Sequence, residues 1–164
     1  MLSFKQRQNI QQKAEDLIRR SGQESVFPIS LTTVLKKEKL TLKTFIPPEG
    51  SDLKNYSGFI DKDKKLIYVN DEEPFYRKRF TIAHEIGHYV LEHGNRIDYR
   101  NHKYSNEPEE LEADLFAASL LMPKSAFMEV YRTLGLSELA AFFAVSRKAI
   151  GIRADELFSE AVSL

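Results

Sequence analysis

The sequence predicts an α+β fold: a small antiparallel sheet packed on helices, with a helical segment toward the C-terminal end. Three observations predict it. Apolar residues recur at helical spacing near the start, through the centre and near the end of the chain; runs with a period near two occupy residues 40–69; proline or glycine stands at most of the changes between patterns. A chain of 164 residues can bury a core without crosslinks, and it is read as one domain, 1–164. Within it, 1–24 holds an N-terminal helix and 137–158 a helix-turn-helix-like segment.

Taken in order, Phe4, Ile10, Ala14, Leu17 and Ile18 recur at near-helical spacing from Ser3 to about Arg20, and Gly22 lies just past the end, so this stretch is an amphipathic helix. Pro28 interrupts the chain and Ser30 can cap a short helix over 31–37, with Leu31, Val34 and Leu35 on its apolar side. Leu40 to Phe45 alternates and is rich in strand formers until Pro47, Pro48 and Gly50 stop it. Gly58-Phe59-Ile60 and Leu66 to Val69 flank Asp61 to Lys64, a polar connection of hairpin length. Pro74 then opens a helix read as Phe75 to His93. Residues 95–106 have no periodicity and are read as a loop that borders the site and contacts substrate; Glu109 to Met122 is a second strong helix, ended by Pro123. Helical patterns follow at 126–134, around Leu139 to Phe143, and from Arg147 to Phe158.

The central helix carries His84-Glu85-Ile86-Gly87-His88, an HExxH motif. Residues four apart share a helix face, so His84 and His88 can aim their imidazoles at one cation from successive turns. Glu85 is offset from the pair but close enough to reach a water held by that cation and take its proton. Apolar residues around the motif place these polar groups where, without a metal or a partner, burying them is costly.

Two histidines leave a zinc site short of a protein ligand. In Glu110-Leu111-Glu112-Ala113-Asp114, residues Glu110 and Asp114 stand one turn apart, so one can bind metal while the other supports a ligand histidine from outside. Glu107, Glu109 and Glu112 compete for the ligand role. His93 is one residue short of the position a third histidine takes in HExxHxxGxxH enzymes and reads as a surface or supporting histidine. Tyr89, His93, His102 and Tyr104 are the residues near enough in sequence to stabilise an oxyanion.

Lysine plus arginine (24) equals aspartate plus glutamate (24), which gives no general argument for nucleic acid, membrane or acidic substrates. Cysteine is absent, which removes disulfides, thiolate ligands and a cysteine nucleophile together. No apolar run approaches the length of a membrane span, and no secretory leader is visible, so a soluble, cytoplasmic protein is expected.

The HExxH motif, Glu110-x-x-Ala113-Asp114, Phe116-Ala117-Ala118-x-Leu120-Leu121-Met122-Pro123, Arg79 to Ala83 and Leu139-Ala140-x-x-Phe143-x-Val145-Ser146 together resemble the ImmA/IrrE family of metallopeptidases over about residues 28–158. The resemblance implies a zincin-like, gluzincin-type core with an N-terminal helix, a small antiparallel sheet and a helical remainder. It implies metal, Zn2+ or another divalent ion such as manganese, on His84, His88 and Glu110, with Glu85 as general base and Asp114 as supporting carboxylate. The activity it implies is a zinc-dependent endopeptidase that cuts a helix-turn-helix repressor of a mobile element or stress response.

Two rivals belong to other classes. A metal-stabilised module could bind a regulator without proteolysis, but binding alone has no use for Glu85. A DNA-binding accessory role for the segment after Ser137 meets the wrong charge: Arg147, Lys148 and Arg153 face Glu138, Asp155, Glu156 and Glu160. Direct nucleic-acid binding is therefore not expected.

Overall fold

The computed structural model describes residues 2–94 and 107–162. Its class is α+β, with seven helices and three strands among the described residues. Helix α1 (Phe4–Arg20) begins at Ser3, whose hydroxyl accepts from Gln6 N at 3.3 Å while the Gln6 side-chain oxygen Oε1 accepts from Ser3 N at 2.9 Å, a closed capping box. It buries Ile10, Ala14, Leu17 and Ile18. Helix α2 (Leu31–Glu38) is capped by Ser30 and stops at Lys39, whose φ of 56° turns the chain into strand β1 (Thr41–Phe45).

A 3-10 turn at Asp52–Asn55 leads to β2 (Gly58–Asp61), which forms an antiparallel hairpin with β3 (Leu66–Asn70). The sheet as a whole departs from the expected antiparallel arrangement. Its order is β1-β3-β2, and β1 pairs with β3 in parallel, Thr41 opposite Leu66 through Phe45 opposite Asn70. The reason is the connection over residues 46–57, which is long enough to carry the chain past β3 to its other edge, so β1 and β3 run the same way. Strand β1 is an edge with its first four residues exposed. Burial falls instead on Ile60, Ile67 and Val69, while Phe45, Phe59 and Tyr68 form an aromatic row on the opposite face, with centroids 5.7 and 4.7 Å apart.

Helix α3 (Phe75–Val90) lies against β2 and β3 and against α4 (Pro108–Leu121), which also packs on α1. Gly58 permits the first contact: a Cβ there would come within 2.5 Å of Thr81 Cγ2 and 2.6 Å of the Tyr68 carbonyl oxygen. Gly87 permits the second, since a Cβ would stand 3.1 Å from Phe116 Cδ1 and 3.3 Å from Ala113 Cα. Helix α3 ends three residues before the expected limit; Leu91 N donates to Gly87 O, Glu92 takes φ 59°, and His93 N returns to His88 O at 3.1 Å.

Helices α5 (Lys124–Val130), α6 (Leu136–Phe143) and α7 (Arg147–Val162) complete the described chain. Leu139, Phe143, Ile150 and Leu157 join the same buried cluster as Leu17, Ile86 and Phe116. Phe143 is fully buried and Phe142 stacks on Phe27 at 5.2 Å, so both pack inward. Buried Arg153 donates to Met122 O at 3.2 Å and to Glu156 at 2.9 Å, and Arg7 of α1 meets the other oxygen of Glu156 at 3.0 Å. No helix among the described residues is long and apolar enough to cross a membrane.

Candidate metal centre

Both motifs sit where α3 and α4 cross. The contact of Gly87 with Ala113 lies between His84 and His88 on one helix and between Glu110 and Asp114 on the other, so the helices come close together inside the site. Glu110 also occupies the first turn of α4, where the helix dipole favours a carboxylate.

Glu110 bridges the histidines: one oxygen is 3.3 Å from His84 Nε2 and the other 3.4 Å from His88 Nε2. The two Nε2 atoms are 2.9 Å apart, and the ligand atoms of the three residues all lie within 4.8 Å of one another. Two donors bound to one zinc at tetrahedral angles stand about 3.4 Å apart, so the carboxylate separations suit a single small cation. Two imidazoles and a carboxylate are also a donor set that zinc accepts.

The outward-facing nitrogens are occupied too. His84 Nδ1 donates to Asp114 Oδ1 at 2.9 Å. His88 Nδ1 lies 2.8 Å from His93 Nδ1, and His93 Nε2 lies 3.0 Å from Glu112 Oε2. The Glu112 carboxylate at the far end of this relay accepts a hydrogen bond from His93 Nε2–H, which leaves His93 Nδ1 as acceptor for His88 Nδ1–H. His88 Nε2 is then the lone pair that faces the centre. Both rings are thus oriented with Nε2 toward the centre by a carboxylate, one directly and one through a second imidazole.

Charge in the site is balanced by its protons. Burial works to lower the His84 pKa, but hydrogen bonds to Asp114 and Glu110 outweigh it and raise it to about 10. His88 is lowered, chiefly by burial. For Glu110 burial works upward, and its contacts with the imidazoles of His84 and His88 outweigh it, holding the carboxyl well below its ordinary value. Glu85 is buried and raised to about 7 by that burial, with the charge of Glu110 acting the same way and His84 and Lys62 opposing. A cation at the three ligand atoms would displace the His84 proton and draw Glu85 toward its ionised form.

Of the competing acids, Glu112 belongs to the His93 relay, Glu107 stands at the N-cap of α4, and Glu109 acts electrostatically on Lys62. His93 is buried in that relay, and Tyr89 lines a neighbouring cavity. His102, Tyr104 and the rest of the loop at 95–106 lie outside the described residues. The sequence reading missed the His88–His93–Glu112 relay and the inward position of Lys62. A Glu-Gly sequence does not stand at 92–93 to mark the turn; the only local signal was a histidine shortly after the helix, at Glu92-His93-Gly94.

The family model for the IrrE N-terminal-like domain, Peptidase_M78, matches residues 37–155. A search of curated proteins gives no match. Among solved structures, a Mycobacterium tuberculosis transcriptional regulator is similar to this chain, with a TM-score of 0.59 and 15% identity. The match covers 87% of this chain and 45% of that one, so this chain spans less than half the length of the regulator, and at that identity the likeness is one of fold.

Proposed function

Because the chain belongs to the IrrE N-terminal-like peptidase family, we propose that it is a metal-dependent endopeptidase that hydrolyses one peptide bond of a helix-turn-helix transcriptional repressor. The observation that carries this reading is the convergence of His84, His88 and Glu110 on one point beside the buried carboxyl of Glu85. His84, His88 and Glu110 would hold the ion; zinc suits the donor set best, and manganese or another divalent ion could take its place. When bound, the metal supplies a Lewis acid that polarises the peptide carbonyl and acidifies water.

The remaining work falls to side chains. As the attacking water's oxygen bonds to the carbonyl carbon, Glu85 takes the proton released. It then gives that proton to the amine as the C–N bond breaks. A buried carboxylate beside the ion can take the proton from water and return it to the leaving amine. Asp114 and the His93–Glu112 pair keep the imidazoles from rotating, so the ligand geometry is set before substrate arrives.

A regulatory target is supported by the family to which the chain belongs. The cut should fall in a linker between the DNA-binding and oligomerising parts of the repressor, because the site needs an extended chain and linkers offer one at low cost. A cytoplasmic setting fits the lack of cysteine. The test is incubation of the zinc-loaded protein with helix-turn-helix repressors drawn from the neighbouring genes, with products read by mass spectrometry. One cut is expected, absent with Glu85→Gln. A stable complex that is never cleaved, and that Glu85→Gln leaves unchanged, would favour the regulator-binding module instead.

A further inference from the structure

We propose that Lys62 is a substrate-contacting residue whose ammonium donates a hydrogen bond to a peptide carbonyl oxygen of the extended chain beside Glu85. The inference rests on the peptidase reading above. Lys62 follows β2 directly, on the hairpin turn. A lysine on a turn ordinarily lets its flexible stem carry the ammonium into water. Here Nζ is shielded from solvent and, among the described residues, has no hydrogen-bond partner. Its neighbour Lys64 behaves in the ordinary way, exposed and paired with Asp61 at 2.9 Å. An ammonium withdrawn from water with its donors unused is expensive to keep, and a fold retains it most readily where a ligand completes it.

The surroundings define that ligand. Lys62 lines a cavity of about 430 Å³ with Arg20, Glu38, Tyr89, Glu92 and His93. Arg20 is ion-paired with Glu38 at 2.9 Å and His93 is engaged with His88 and Glu112. Arg20 is exposed, so Lys62 is the cationic group of this wall, among the described residues, whose donors are hidden from water without a partner. Glu109, Glu92 and Glu85 act on it electrostatically without a hydrogen bond to it. The three carboxylates disfavour an anionic side chain, and Lys62 itself disfavours a cationic one. A carbonyl oxygen is a good occupant: it is neutral in the bound substrate, and a peptide laid past Glu85 presents one every residue.

That oxygen belongs either to the bond being cut or to a flanking peptide. In the first case the C=O π pair moves onto it as the water oxygen bonds to carbon, the proton goes to Glu85, and the Lys62 hydrogen bond strengthens with the charge it meets. In the second the contact only positions the chain, and Lys62 is a positioning residue.

The test compares zinc-loaded wild type, Lys62→Met and Lys62→Arg in binding two probes. One is a peptidyl phosphonamidate, whose anionic oxygen stands where the attacked carbonyl oxygen would. The other is a mercaptoacyl peptide of the same sequence, which grips the metal through sulfur. Lys62→Met should bind the phosphonamidate about 10–100-fold more weakly, with zinc content unchanged and melting temperature unchanged or raised, because a buried unpaired charge has gone. Lys62→Arg should recover part of the loss. Loss on the phosphonamidate alone assigns the scissile carbonyl, and equal loss on both probes assigns a flanking one. If wild type binds both and Lys62→Met binds both equally well, the inference is overturned while the peptidase reading stands. If zinc-loaded wild type binds neither, the peptidase reading falls and takes the inference with it.

Discussion

Replacing Gly87 with alanine sets two effects of opposite sign against each other. A glycine inside a helix is less favourable than alanine by about 1 kcal/mol, so helix propensity alone makes Gly87→Ala stabilising. The packing argues the other way. The new methyl would meet Phe116 Cδ1 at 3.1 Å and the backbone of Ala113, both Cα and O, at 3.3 Å, and neither Ala113 nor Phe116 has exposed surface to move into. Overfilling such a contact costs roughly 1–3 kcal/mol, which leaves a net destabilisation of about 0–2 kcal/mol. At roughly 2–4 °C per kcal/mol for a chain of this size, melting of the metal-free protein should fall by up to about 8 °C. The backbone that must yield is that of α4, one turn from Glu110, so zinc affinity should also fall, by about tenfold on the scale of lost supporting contacts. Differential scanning calorimetry in chelator and zinc competition with a chromophoric chelator read the two effects. A higher melting temperature with unchanged zinc affinity would refute the claim that this crossing positions the third ligand.

Glu85→Gln should retain zinc at wild-type affinity and lose hydrolysis by at least about 100-fold, measured as repressor cleavage under single-turnover conditions. Asp114→Asn and Glu112→Gln should each weaken zinc by about 10–100-fold without abolishing the site, and the two effects should be separable by titration because the carboxylates serve different histidines. For metal-free protein the sign of the pH dependence follows from His84, whose folded pKa lies above its unfolded value of 6.5 at about 10. A raised pKa contributes stability that is complete below 6.5 and is lost as pH rises through about 10, so melting should decline across that window and the decline should shrink in His84→Ala. Chelator-treated protein scanned from pH 7 to about 10 tests this, and a melting temperature rising with pH would contradict it.

Much of this arrangement was legible because its signals are local. Ser3 and Gln6, Ser30, Pro74, Pro108 and Pro123 mark helix ends by chemistry that needs no partner, and the spacing within His84 to His88 and Glu110 to Asp114 fixes which side chains share a face. What could not be read depends on pieces distant in sequence. The alternation in β1 is compatible with either strand direction, and its parallel pairing with β3 is decided by how the chain crosses after Phe45. The spacing of His93 from His84 leaves a surface or supporting role open, and it is the end of α3 at Val90 with the left-handed turn at Glu92 that brings the ring onto His88. Glu112 could not be separated from Glu110 as a ligand until His93 was in place to claim it. Lys62 stands in the sequence as part of a polar hairpin connection, and only the folded structure shows its ammonium hidden from solvent.

Zinc titration of the wild type beside Glu110→Ala and Glu112→Ala tests the central claim most directly. The account predicts about one tightly bound zinc per wild-type chain, severe loss of affinity in Glu110→Ala, and a weakened but present site in Glu112→Ala. Full-affinity zinc in Glu110→Ala together with none in Glu112→Ala would contradict it, because the crossing of α3 and α4 would then present a different carboxylate to the two histidines.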